Sequence, residues 1–264
     1  MMRRRLLLGA PAALVVRLGA GPAVVHAQSR AARRSNALRI GADPVIERLT
    51  RALLRGFGVY SGLAAQLDVA PSAIVLEAVE RGEVDAALTL APDAEAKLQQ
   101  QGLLHSRQPV ARLELLLVGP TDSGIARGRD VADALRKIAA DRARFVGRND
   151  GSGLHLTEQA LWRAAGVAPA PPWYIQADSS PLAQARAYRA HLLLDRASWT
   201  PGPARDKFGV VVEGDARLEA PVHVVRSFRA THPAGKLFVG WVTGPVGRKL
   251  VAGEPGLRSV AAAK

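Results

Sequence analysis

From Ala37 onward, strand-length apolar segments alternate with helix-length amphipathic ones, and that alternation narrows the fold to one class. "ALRIGA" (37–42) is a strand. Pro44 suits the first turn of the helix that follows, "VIERLTRALLRGFG". A strand is expected at 63–70, and Ser72 is a candidate N-cap for a helix ending near Gly82. A strand at 84–91 leads into a helix running to about Gln101. Further strands are expected at 111–120, around "RFVG", and at 173–177, 191–195, 208–213 and 220–227. Helices are expected at 130–140, 156–165, just after Pro181, and at 232–243 and 245–252. Single helices between strands make neighbouring strands parallel, so the sheets are covered by helices on both faces.

The N-terminus stands apart from this pattern. "MMRRR" is a basic start, the next twenty residues are apolar apart from Arg17, and Val24 and Ala27 suit cleavage before Gln28. Residues 1–27 therefore read as a cleavable export signal, and residues 28–36, "QSRAARRSN", as a disordered polar leader. A twin-arginine signal is a weaker reading of the same stretch. The chain has 36 basic and 23 acidic side chains, a formal net charge of +13, which favours anionic partners. The basic residues are scattered, aromatics are 5%, and no nucleic-acid signature is present. There is no cysteine, which rules out disulfides, thiolate metal sites and a lipid-modified N-terminal cysteine.

Chemistry collects where strands end. Four times a strand runs into small polar residues and then a helix: Gly41 to Pro44, Ala70 to Ser72, Gly147 to Gly153, and Asp178 to Pro181. In parallel sheets ligands bind beyond the carboxyl ends of the strands, where helix N-termini offer free N–H groups to anions. The third turn adds Arg148, whose planar fork of donors suits an oxyanion. The same turn holds Asp150, Ser152 and His155, but residues so close along the chain seldom form a catalytic triad, and the G-x-S-x-G elbow is missing. Ser152 is better read as a helix cap. The four tryptophans, Trp162, Trp173, Trp199 and Trp241, read as core or packing residues. His105, His191, His223 and His232 lack metal-ligand spacing, so neither a metal nor a cofactor is expected.

Two longer stretches resemble the periplasmic tungstate-binding proteins of ABC uptake systems. "GEVDAALTLAPDAEAKLQQQG" is similar to that family's "GDADVLLVHAPEAEEKFVADG". The block from "LELLLVGP" through "FVGRNDGSGLHLTEQALWRAAGV" is similar to its "FVIVGP" and "FVSRGDDSGTHKKELALWKAAGI". The likeness covers most of 37–250. It implies a two-lobed periplasmic-binding-protein fold of type II-like α/β architecture. Each lobe would be a largely parallel sheet flanked by helices, with the ligand cleft between lobes. Residues 37–118 and 221–264 would form one lobe and 119–220 the other. It further implies a periplasmic, monomeric, non-enzymatic protein that binds tungstate, molybdate or a related oxyanion and delivers it to an inner-membrane permease.

The resemblance also assigns site residues. Arg148 holds the place of the family's anion-binding arginine, with Ser152 and Gly153 beside it. Ser72, Ser179 and Ser180 are the remaining hydroxyls in the turns that correspond to the family's other contacts. Gly147 replaces the family's serine. The largest departure is at the first turn, where the family's hydroxyl cluster "TTTS" is replaced by "GADPVIE", with Asp43 and Pro44. Pro44 has no N–H to donate. Asp43 is an ordinary N-cap but a poor neighbour for an oxyanion. Two like unit charges about 4 Å apart cost about 1 kcal/mol in water and about 4 at an effective dielectric of about 20. That departure leaves open a different small anionic or zwitterionic solute, or a sensor or partner-binding role outside transport.

Overall fold

The computed structural model describes residues 37–260 except Ala126 and Ser179, so the export signal and leader expected at 1–36 lie outside the described residues. From Ala37 the chain forms one compact unit. Strand β1 (Leu38–Ala42) is followed by a 3-10 turn at Pro44–Ile46 and helix α1 (Glu47–Ser61). Then come β2 (Ala65–Val69), α2 (Ser72–Arg81), β3 (Ala86–Thr89) and α3 (Pro92–Gln100). The long strand β4 (Leu104–Pro120) leads to α4 (Val131–Ala140), β5 (Phe145–Gly147), α5 (Gly153–Ala164) and β6 (Tyr174–Gln176). Helix α6 (Pro181–Tyr188), β7 (His191–Asp195), β8 (Phe208–Val212) and β9 (Glu219–Ser227) follow. The described chain closes with α7 (Ala234–Val242), α8 (Pro245–Ala252) and β10 (Leu257–Ser259).

The strand order is β2-β1-β3-β9-β4-β7-β5-β6, with β8 and β10 also paired to β4. Two parallel cores are embedded in this path: β2-β1-β3 in one half and β7-β5-β6 in the other. The strands that join them run antiparallel to their neighbours. Strand β9 pairs with β3 and β4, and β4 pairs with β7, β8 and β10. Strand β4 belongs to both halves: its first part pairs with β9 and its last with β7 and β8. This is the two-lobed α/β arrangement expected from sequence, with a mixed rather than wholly parallel edge where the chain crosses between halves.

The burial pattern explains the layers. Along β4, Leu115 and Leu117 face one core cluster while Leu116 and Val118 face another. In β3, Ala86 and Leu88 face the first cluster and Ala87 a third. A period of two with both faces apolar requires helices on both sides. Helix α1 supplies Leu49, Leu53 and Phe57 at four-residue spacing, all buried. Phe57 meets Phe238 edge-on with centroids 5.3 Å apart, and Trp241 at 5.7 Å. In the other half, Trp162 packs on Phe145 at 5.0 Å and Trp173 at 5.7 Å. The tryptophans at 162 and 241 thus pack into the same main core cluster from opposite halves.

Three of the differences from the sequence-based expectation bear on how the site is built. Strand β4 starts at Leu104, seven residues before the expected 111, because "HSRQPV" is largely exposed and lacks an apolar run, although it pairs with β9. Helix α5 starts at Gly153, three residues early, because Ser152 caps it and accepts from His155 N at 3.3 Å. Ser72 is not the cap of its helix: Pro71 is, and Ser72 sits in the first turn with its hydroxyl turned inward.

Candidate functional site

Topology brings the two sets of strand ends face to face. Strands β1, β2 and β3 release the turns at Asp43, at Ala70–Ser72 and at Leu90 from one half. Strands β5 and β6 release Arg148–Gly153 and Ala177–Ser180 from the other, and their register pairs Gly147 with Gln176. Three of these turns converge on one group, the carboxylate of Asp43. Asp43 is fully buried. Its Oδ1 accepts from Val45 N at 3.0 Å, an N-cap bond to the 3-10 turn. Its Oδ2 accepts from Ser72 N at 2.9 Å, Ser72 Oγ at 2.6 Å and Gly153 N at 2.8 Å. Ser72 Oγ in turn accepts from Leu90 N at 3.0 Å, which ties a fourth strand end, that of β3, into the cluster.

These donors form an anion cradle. Ser72 N and Gly153 N belong to the first turns of α2 and α5, where N–H groups lack helical partners and the helix dipole favours negative charge. The halves also touch beside it. Ala73 N donates to Gly151 O at 3.4 Å. A Cβ on Gly153 would lie 2.4 Å from Leu90 Cβ, so only glycine allows this approach. Behind the contact lies a separate cavity of about 370 Å³, lined by Leu90, Pro92, Leu156, Ala160 and Pro221 among others.

The remaining expected site residues are placed differently. Arg148 Nη1 pairs with Asp150 Oδ2 of its own loop at 3.2 Å, and its Nε is buried without a hydrogen-bond partner. The sequence reading put Ser152 on the ligand, but its hydroxyl is already committed. It donates to Asp150 Oδ1 at 2.6 Å and caps α5. Burial works against the Asp150 charge, yet Ser152 and Arg148 hold this carboxyl below its usual range. The His155 ring lies against Gly151 N at 3.0 Å and Gln159 Nε2 at 2.9 Å, so it does not address the Ser152 hydroxyl. Ser180 is exposed, and its N–H donates to Asp178 Oδ1 at 2.7 Å. Ser179 lies outside the described residues. Among the described residues no cluster of three or more His, Asp or Glu could hold a metal.

A support beneath the Arg148 loop went unread in the sequence. Glu158, buried on α5, accepts from Arg148 N at 3.1 Å and from the Tyr174 hydroxyl at 2.6 Å. Tyr174 stacks on Phe145 and passes so close to Gly147 that a Cβ there would lie 1.9 Å from the ring. Position 147 therefore has no room for a side chain. Burial pushes the Glu158 carboxyl up to about 7 from its ordinary 4.5, against the hydrogen bonds from Tyr174 and Arg148 that favour its charge. The folded chain therefore keeps a proton that the unfolded chain has lost between those values. The contribution is full below about pH 4.5 and falls as pH rises to about 7, by on the order of 3 kcal/mol. Glu158→Gln should match wild type in urea denaturation at pH 4, and exceed it by on the order of 3 kcal/mol at pH 8.

A domain model described as "PBP superfamily domain" matches residues 27–199. The chain is 29% identical over 192 residues to a putative ABC transporter anion-binding protein of Haloferax volcanii, covering 67% of this chain and 56% of that protein's length. It is 26% identical over 216 residues to the tungstate-binding protein TupA of Peptoclostridium acidaminophilum, covering 77% and 75%. Among solved structures, the tungstate ABC transporter protein of Geobacter sulfurreducens superposes with a TM-score of 0.70 at 26% identity, over 83% of this chain and 99% of that one. Fold, strand-end geometry and sequence agree with that match, and the chain belongs to the PBP superfamily.

Proposed function

We propose that this chain is the solute-binding protein of an ABC uptake system, closing on a small oxyanion of the tungstate and molybdate class. One observation carries the reading: donors from turns in both halves converge on a single buried negative group, Asp43. Relatives named for tungstate or anion binding support the solute class. In this reading residues 37–118 with 221–264 form one lobe and 119–220 the other, hinged at the β4 and β9 crossings. Residues 1–27 direct export, and the mature chain works in the periplasm as a monomer that docks a permease and catalyses no reaction. Among the described residues no helix is long and apolar enough to cross a membrane. Mature protein from Gln28 onward, screened by thermal shift against millimolar tungstate, molybdate, sulfate and phosphate, should be stabilised by tungstate or molybdate. No response to any of them, from wild type or from variants lacking the Asp43 carboxylate, would overturn the reading.

The Asp43 carboxylate favours a second reading, in which the binding fold serves as a sensor or partner-binding module outside transport. A gene neighbourhood with a permease and an ATPase supports transport, and one with a sensor kinase supports the alternative.

A further inference from the structure

We infer that Asp43 is a tethered competitor for the anion cradle. Its carboxylate fills the donors that a free oxyanion needs and latches the two halves of the protein together. This rests on the reading of the cleft as an oxyanion site.

Capping explains only part of what Asp43 does. An N-cap needs one bond to its own turn, and Val45 N supplies it through Oδ1. Oδ2 takes three further donors, from Ser72 and Gly153, that lie 29 and 110 positions away. Among the described residues Asp43 joins no ion pair, so N–H and O–H dipoles alone hold its charge. A buried carboxylate is costly unless it is fully hydrogen-bonded, and four donors meet that need. Two of them come from helix first turns, the arrangement that suits an anion. The group seated there is itself an anion, supplied by the chain.

The placement has two consequences. First, Val45 and Ser72 belong to the β1-β2-β3 half and Gly153 to the β5 half, so one carboxylate bridges the halves. A solute that closes such a cleft does the same. Second, a free oxyanion and Asp43 cannot use the same donors at once. A tethered group is present at an effective concentration of about millimolar or more, so the free anion competes against it continuously. Apparent affinity then falls by the fraction of molecules in which Asp43 has swung out.

The test is calorimetric titration of tungstate and molybdate into mature wild type, Asp43→Ser, Asp43→Ala and Asp43→Asn, each first shown to melt cooperatively. The alanine variant empties the cradle without adding a hydroxyl. The asparagine variant keeps the shape but weakens the acceptor, and it guards against misfolding of the others. The expected result is a gain of at least about 100-fold in affinity for the serine and alanine variants, and a smaller gain for asparagine. Small-angle X-ray scattering should show wild type compact with or without tungstate. The alanine and serine variants should be more extended alone and should contract on adding it. Wild type that binds tungstate as tightly as the serine and alanine variants overturns the competitor and leaves the oxyanion function standing. Identical radii of gyration for wild type and the alanine and serine variants, without oxyanion, overturn the latch. Folded variants that bind no oxyanion at all, alongside a wild type that also binds none, overturn both the competitor and the function.

Discussion

Ser72→Ala should destabilise the protein by about 3–5 kcal/mol in urea denaturation. The hydroxyl donates to Asp43 Oδ2 at 2.6 Å and accepts from Leu90 N at 3.0 Å, and the residue is fully buried. Removing it takes one charge-assisted bond from a buried carboxylate, about 1.5–3 kcal/mol, and leaves a buried N–H unpaired, about 1–3 kcal/mol more. The loss should depend on the carboxylate. In a double-mutant cycle with Asp43→Ala the two changes should be coupled by about 1 kcal/mol or more, the pair costing less than the sum of the singles. A cost below about 1 kcal/mol, or strict additivity, would mean that Ser72 does not hold Asp43 in place.

Gly153→Ala should be comparably severe, about 3–5 kcal/mol, because the new methyl has nowhere to go. It would lie 2.4 Å from Leu90 Cβ and 3.2 Å from Cγ. Leu90 is 1% exposed, and its Cβ moves only with a backbone that Ser72 holds. The clash is relieved only by moving α5 away, which stretches the Gly153 N–H bond to Asp43 and separates the halves. Leu90→Ala should not rescue the variant, since its Cβ remains. Leu90→Gly should, despite its own cost in backbone entropy. Rescue by alanine would show that the outer leucine atoms set the limit.

Most of the architecture was readable from the chain because strand and helix periods are local. The alternation of single helices with apolar strands placed each parallel core. Pro44, Ser152 and Pro181 marked helix starts within a few residues. Strand β10 was not read: "LRS" is short and polar, and it is a strand only because β4 offers it an edge. Half of β4 was lost for a related reason, since its first residues lie along β9 with exposed side chains.

The site was legible in its turns but not in its bonds. Asp43, Ser72 and Gly153 all stand out in the sequence, yet there the carboxylate reads as an N-cap, as a repulsive neighbour for an anion or as a contact for a different solute, not as the group that fills the donors. What the sequence could not give is that residues 43 and 153 meet, since 110 positions separate them. A usable signal existed: an acid replaces a hydroxyl cluster in one turn while donors persist in the turns opposite. Arg148 reads as the chief contact from its residue type and from its place in the family resemblance. Its Asp150 partner, two residues on, takes up part of its fork. Glu158 escaped notice because an acid inside "LTEQALW" looks like a solvated helix face until Tyr174 and Arg148 N are found against it.

One position, bounded by Ser72 N, Ser72 Oγ and Gly153 N, holds either the Asp43 carboxylate or a free oxyanion. Anomalous diffraction at a tungsten absorption edge, from crystals of Asp43→Ser grown with tungstate, tests it most directly. A single strong anomalous peak is expected within hydrogen-bonding reach of all three donors, and none there in wild type treated identically at a concentration that saturates only the variant. A peak seated elsewhere in the variant, or a wild-type peak at full occupancy beside an unmoved Asp43, would contradict it.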